Sequence, residues 1–357
     1  MYIYFITIGI ALFWAFLYEH RKRTIFSKKE QVAENVVIFL AIAPLIFISG
    51  CRYFVGQDYE NYLLWYEKGK ASGFSNIILD IVFYFMRMIS DSGQFFFIVS
   101  SIFILGCILI TIFKESMYPF MSLYLFVFTR GYFRSMNVVR QYVAVAVIMF
   151  SIRYIKERDL KKFLIITILA TLIHPSAVLM FLIYFLYDIK ITPKIVALVG
   201  VFVYFGGFFI RNYFVPLISK YTEYGNYFLQ DSSYYESSFK RSLLYIYIII
   251  FIMLTIQYYK NNLVVKLPNY KILYNTIFVG IILLLLTNFM PRNFWRIVWY
   301  LDVFLTIYLP ENINYINSKI WRNLFKLFIY IAFFILTIVY IGNGEQAVLP
   351  YRCFLWN

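Results

Sequence analysis

Long apolar runs recur along almost the whole chain and leave little room for anything else. Runs near 2–18, 34–50, 94–113, 119–129, 138–152, 163–174, 176–187, 195–213, 242–258, 272–290, 294–309 and 323–341 make twelve candidate spans with short polar connections between them. About 20 residues of helix cross a bilayer core, and a helix closes its backbone hydrogen bonds within itself. The chain therefore reads as an all-α polytopic integral membrane protein of about 10–13 transmembrane helices. The runs at 119–129, 163–174 and 176–187 are too short to cross a ~30 Å core alone, which predicts broken or tilted helices. Composition agrees: 62% of the 357 residues are hydrophobic and 14% charged, against about 45–50% and about 25% in soluble domains. That excludes a water-soluble enzyme. No internal repeat, low-complexity tract or soluble linker interrupts the pattern, so 1–357 reads as a single membrane domain with external segments 51–93 and 214–241.

A formal charge of +15 suggests nucleic acid in a soluble protein. Here no nucleic-acid module accompanies it, and the positive-inside bias is the simpler cause. The densest basic loops, 19–33 and 153–162, should face the cytoplasm, with Lys190/Lys194, Lys260/Lys266/Lys271 and Lys319/Arg322/Lys326 on the same side. Both termini, 51–93, 129–137, 214–241, the turn near Arg292 and the tail 342–357 then lie outside. Residues 1–18 lack a basic leader and a small-residue cleavage site, so they read as a retained first span. Cys51, Cys107 and Cys353 are far apart and form no metal or disulfide pattern. Segment 77–91 places Asp80, Tyr84, Arg87 and Asp91 on one stripe of an otherwise apolar helix, which suits a helix lying along the outer interface.

An ionisable side chain in a membrane is costly, so it faces a cavity or a partner. Five places qualify. In CRYFVGQDYENYLLWY, after the second span, Gly56 permits a turn, Asp58 can act as a base or orient Arg52, and Tyr59 and Tyr62 offer flat faces to a sugar or to the interface. Arg140, followed by Gln141, precedes Ala144, Val147 and Ser151 on one helical face; a planar guanidinium suits two phosphate oxygens. His174, before Pro175, can take a proton from a hydroxyl near pH 7 or bond carbonyls that the proline frees. In PRNFWR, Arg292 and Arg296 are i,i+4 neighbours with Trp299 close to the same face and Asp302 deeper. The tyrosine-rich loop 213–241 suits saccharide stacking or a membrane interface. No P-loop, GxSxG, HExxH or DxD pattern occurs, and no metal site is read.

RYFVGQDYENY, VVRQYVAVAV, RYIKERDLKKFLIITILATLIHPSAVLMFLIYF and PRNFWR together resemble the EpsG/Wzy family of bacterial polysaccharide polymerases. The resemblance is strongest from about 50 to 190 and elsewhere lies in hydropathy and layout. It implies a GT-C-like, metal-independent glycosyltransferase without a cofactor, an O-antigen or exopolysaccharide polymerase. Such an enzyme transfers a glycan from undecaprenyl diphosphate to a new lipid-linked repeat unit, outside the bacterial cytoplasmic (inner) membrane. Its partners would be undecaprenyl-diphosphate-linked oligosaccharide, the lipid bilayer, a flippase and a chain-length regulator, with no nucleic acid. Carried over, Arg140, Arg292, Arg296 and Arg52 would meet the diphosphate, His174 or Asp58 would deprotonate the acceptor, and Gln141, Tyr59, Tyr62 and Trp299 would contact substrate. Two other classes compete. A flippase or transporter of lipid-linked oligosaccharide should show an internal repeat, and none is present; a membrane acyltransferase modifying the glycan could also use a histidine and an arginine.

Overall fold

A computed structural model describes residues 1–21, 28–71, 77–186, 189–214, 216–217, 238–261, 270–287, 289 and 292–356. Among these, helix is the only extended secondary structure, and an isolated antiparallel bridge joins Arg52 to Cys353. The chain is a multi-pass helical membrane protein. Five of its helical stretches, Tyr2–Arg21, Gln31–Gly50, Gly93–Glu115, Lys194–Tyr213 and Lys319–Gly342, are long and apolar enough to cross a membrane. The residues pack as two compact units, 1–178 with 319–357, and 179–318.

The first unit opens with α1 (Tyr2–Arg21) packed on α2 (Lys28–Gly50). Two short helices follow, α3 (Tyr59–Lys68) and α4 (Ile77–Arg87). Gly69 ends α3 in the left-handed conformation, φ 67°, that glycine adopts at least cost. On α4 the Arg87 Nε meets Asp91 Oδ1 at 3.4 Å, and the Asp80 carboxylate accepts the Ala71 N–H at 2.7 Å. Of the polar stripe expected over 77–91, Asp80 holds the preceding segment and Arg87 pairs with Asp91 within the stripe, while Tyr84 stands exposed with Ile81, Phe85 and Met88.

The centre of this unit is α5 (Gly93–Glu115), which packs against α2 and, further along the chain, α8 (Val139–Lys156). Ile104, Leu105, Ile108, Leu109 and Ile112 of α5 are almost wholly buried. Ser49 and Ser101 share a hydrogen bond of 2.9 Å between α2 and α5. Helix α9 (Leu160–Ile173), capped by Asp159 accepting the Lys162 N–H at 3.0 Å, returns along α8.

Short helices fall where the lengths of the runs predict them. Pro119 begins α6 (Pro119–Phe128), its missing N–H costing nothing at the first position. The chain breaks at Arg130, φ 73°, and resumes as α7 (Gly131–Asn137). Residues 129–137, which hydropathy reads as a connection between two spans, are wholly buried as helix and break. The hydropathy minimum there comes from Arg130 and Arg134, which the protein encloses. A second break at His174–Pro175 separates α9 from a 3-10 turn (Pro175–Met180) and α10 (Phe181–Leu186).

The second unit contains α10, α11 (Pro193–Phe209), α12 (Ser238–Asn261), α13 (Tyr270–Leu286) and α14 (Val298–Asn314). Helix α13 packs between α12 and α14. Asn275 on α13 donates to the carbonyl of Ile189 at 2.8 Å, and the Tyr247 hydroxyl on α12 donates to Asp302 on α14.

The last helix, α15 (Lys319–Gly342), returns to the first unit and ends in a tail that folds back on the segment after α2. Phe354 N–H bonds Cys51 C=O at 3.0 Å, Tyr53 N–H bonds Arg352 C=O at 3.0 Å, and Gly56 N–H bonds Ala347 C=O at 3.0 Å. Cys51 and Cys353, which their spacing in the chain leaves unconnected, are neighbours in space and both buried. Burial first, then the adjacent Cys353 thiol and its hydrogen bond, push the Cys51 pKa up.

This pairing predicts that copper–phenanthroline oxidation of the purified protein joins Cys51 to Cys353, lowering the count of three free thiols to one. Cys353→Ser should prevent it, as read on a non-reducing gel and by thiol titration. Failure of the wild-type protein to cross-link would mean the tail does not dock there.

Candidate functional site

Helix breaks, rather than the regular helices, gather the polar side chains of the first unit. After α2 the chain turns through Gly56 at φ 108°, where a Cβ would lie 3.0 Å from the Met136 carbonyl oxygen. Only glycine fits this approach without strain. The next turn brings the Asp58 N–H to Asn137 Oδ1 at 2.8 Å. Asn137 Nδ2 then donates to Gln346 Oε1 at 2.5 Å, and Gln346 Nε2 to the Tyr340 hydroxyl at 2.7 Å. One buried asparagine thus ties together the start of α3, the break before α8 and the C-terminal tail.

Tyr62, one turn into α3, accepts the Arg140 N–H at 3.2 Å. That N–H belongs to the first turn of α8, where no intrahelical acceptor exists. Tyr59 stacks on Phe97 with centroids 4.1 Å apart and donates to Gln94 Oε1 at 3.0 Å. Burial raises the Tyr59 pKa to about 12, so the phenol stays neutral. The structure therefore brings Asp58 and Tyr62 against Asn137 and Arg140, residues that the sequence places some 80 positions away.

The half-buried Arg140 side chain lines a groove enclosing about 320 Å³ between α4, α5, α8 and the end of α9. Its other described walls are almost entirely apolar, Ile173 among them. The next residue, His174, caps α9 in an extended conformation and is half-buried. Its Nδ1 is 2.7 Å from Ser176 Oγ, the donor being set by the tautomer. Gln141 is buried.

Arg52, expected at the diphosphate, lies wholly inside the protein. It donates to the Ser49 carbonyl and to Ser101 Oγ at 3.2 Å, and its guanidinium rests 4.7 Å from the Phe97 ring centroid. Burial pushes its pKa down to about 10, with Tyr59, Tyr4, Tyr132 and Tyr351 opposing the shift, so it stays charged near neutrality.

Two more arginines escape a reading by hydropathy. Arg130 and Arg134, one turn apart across the α6/α7 break, are as buried as Arg52. The Arg130 guanidinium lies 4.3 Å from the ring centroid of Tyr340, the tyrosine that accepts from Gln346. The signal that could have found them is the i,i+4 arginine pair bracketing Gly131 in an apolar stretch.

In the second unit a 3-10 turn, Arg292–Ile297, leads into α14. Half-buried Arg296 sits 5.6 Å from the Trp299 ring centroid, and Trp299 packs edge-on against Trp295 at 5.2 Å. Trp299 is buried, and Asp302 is engaged by Tyr247. For Arg292 the backbone alone is described, at the start of this turn. Most of the tyrosine-rich loop, 215 and 218–237, lies outside the described residues, as do 22–27 of the first basic loop and 262–269. Among the described residues, no three His, Cys, Asp or Glu side chains converge.

Fold and site together define a multi-pass membrane protein whose arginines, histidine and one carboxylate gather at helix breaks. The family model described as EpsG family matches residues 35–353, nearly the whole chain. The chain belongs to the EpsG family, a Wzy-like polysaccharide polymerase family. No curated protein and no solved structure matches it significantly.

Asn137→Ala removes the acceptor of the Asp58 N–H and the donor to Gln346 in one step. Leaving these groups unsatisfied should destabilise the protein by ~1–3 kcal/mol, measured as a lower melting temperature in detergent. A variant as stable as the wild type would show that water replaces the asparagine.

Proposed function

We propose that this protein is a metal-independent glycosyltransferase that polymerises repeat units carried on undecaprenyl diphosphate, at the outer face of the bacterial cytoplasmic membrane. Membership of a polysaccharide-polymerase family supports the reaction class. The observation that carries the site is Arg140, anchored through its N–H by Tyr62 and lining a groove that Ile173, the residue before His174, also lines.

In the reaction an acceptor hydroxyl attacks the anomeric carbon of the donor glycan, and the bond to the lipid diphosphate breaks. The diphosphate leaves with the electron pair, so negative charge grows on it. Arg140 supplies a planar pair of donors for that charge, and Arg292 and Arg296 are the cations of the second unit for the same class of ligand. The hydroxyl proton goes to a base. Neutral His174, its Nδ1 beside Ser176 Oγ, suits this near pH 7. Asp58, at the start of α3, is the second candidate. Tyr59, Tyr62, Gln141 and Trp299 lie near these groups along the chain and serve the substrate. A flippase and a chain-length regulator are the expected partners.

Purified protein given a synthetic lipid-diphosphate repeat unit should make a ladder of glycans. Arg140→Ala should lower the rate ~10²–10³-fold, the usual effect of losing one well-aimed donor. His174→Ala and Asp58→Asn separate the bases, because the variant that keeps substantial turnover has lost no essential group. A deletion strain should keep single repeat units on lipid at the outer leaflet; accumulation at the inner leaflet would mark a flippase and overturn the proposal.

A further inference from the structure

The groove beside Arg140 has a chemistry that its head-group contact alone does not use. Leu79 and Val82 of α4, Val99 and Phe103 of α5, and Val143 of α8 line it with Ile173. The hydroxyl of Ser100 donates to the Phe97 carbonyl of its own helix at 3.2 Å. Among the described residues that line the groove, Arg140 is the only charged one and Ser100 the only other polar one. A cavity apolar along its length with one cation on its wall matches an apolar chain that ends in an anion. It matches neither a sugar, which needs hydrogen-bonding walls, nor an apolar molecule without charge, which gains nothing from a guanidinium.

The lips of the groove indicate where such a chain enters. Val82 and Phe103 are 40% and 44% exposed, and Ile81 and Phe85 on α4 are exposed as well. Helix α4 is amphipathic, its polar residues held by Arg87–Asp91 and by the Asp80–Ala71 bond. It packs against α5 and α9, and its Phe83 meets Tyr66 of α3 edge-on at 5.3 Å. A helix of this type rests in the interface, apolar side in the acyl region. The exposed apolar residues at the groove's lips suit an opening toward lipid.

We propose that this groove is the binding site for the isoprenoid chain of the polyprenyl diphosphate, taking the isoprene units next to the diphosphate that Arg140 holds. The assignment rests on the polymerase reading for its choice of lipid. About 320 Å³ is near the lower limit of ligand pockets, so the groove grips the start of the chain and the remainder stays in the bilayer. It would thereby select the carrier and fix the diphosphate's position relative to His174.

The test uses the full-length protein in nanodiscs and a farnesyl diphosphate probe carrying a photoreactive diazirine on its chain. Labelled peptides should map to α4, α5 and α8. Unlabelled undecaprenyl diphosphate should compete, whereas excess phosphatidylglycerol should not. Val143→Trp, which fills the groove, should cut labelling at least tenfold, while Val143→Ile retains it and shows that the position tolerates change. Arg140→Gln should weaken the diphosphate probe and leave a farnesol probe of the same design unaffected. Labelling elsewhere, equal competition by phosphatidylglycerol, or full labelling of Val143→Trp would overturn the groove assignment. Groove labelling in a protein that makes no polymer from any lipid-diphosphate donor would instead overturn the polymerase reading and leave the groove standing as a prenyl diphosphate site.

Discussion

Backbone that leaves a helix within a membrane protein must find its hydrogen bonds in protein, because lipid offers none. The first unit is organised by that constraint. Its breaks at 51–58, at 137–138 and at 343–354 are not scattered over the surface but packed on one another, and each supplies what another lacks. Main-chain N–H groups of Tyr53, Gly56 and Phe354 reach carbonyls of Arg352, Ala347 and Cys51. Where main chain cannot reach, Asn137 serves as both acceptor and donor. The same economy that closes the backbone also collects Asp58, Tyr62 and Arg140, so the geometry of the candidate site is a by-product of how the breaks are satisfied.

Charge inside this unit follows a related logic. A buried guanidinium pays a desolvation cost of several kcal/mol that a single carboxylate partner often fails to repay in full. Arg52 is met by a backbone carbonyl, a hydroxyl and an aromatic face, all neutral. Such partners ease desolvation without cancelling the charge, so its positive field persists in the protein, reduced only by the lowered pKa. Arg130 over Tyr340, the tyrosine that Gln346 bonds, is a second buried cation. Fixed positive charge behind a polar network raises the affinity of the surface in front of it for anions, and it needs no contact with the ligand to do so.

The helical membrane class was legible from hydropathy because twelve apolar runs leave no competing fold, and short runs at 119–129 and 163–174 already announced breaks at Arg130 and His174. The amphipathic α4 was legible from its period. The burial of 129–137 was not, since two arginines in nine residues lower the hydropathy as a loop would. Nor was the docking of the tail: pairing Cys51 with Cys353 depends on a contact across some 300 residues that no local pattern encodes. Arg52 and Arg140 look alike in sequence, each next to a span end. The structure separates them by where the helix leaves the side chain, Arg52 turned inward beneath Phe97 and Arg140 on a groove wall.

Under the proposed function, in which donor and acceptor are both lipid-anchored, this arrangement changes what the protein must do. The bilayer already confines both substrates to one plane and raises their effective concentration, so tight binding of the sugars adds little to the rate. What remains is to hold one diphosphate at a fixed depth and to place a base within hydrogen-bonding reach of the incoming hydroxyl. A helix break provides such a fixed point, because its backbone partners lock its height in the bundle. His174 at the end of α9 and Arg140 at the start of α8 stand at successive breaks of an antiparallel helix pair. The turn that joins the two helices, at 157–159, lies at their opposite ends. Arginine and histidine therefore both depend on the packing of α8 on α9, and a change in that packing would move the proposed leaving-group stabiliser relative to the proposed base before it altered either residue.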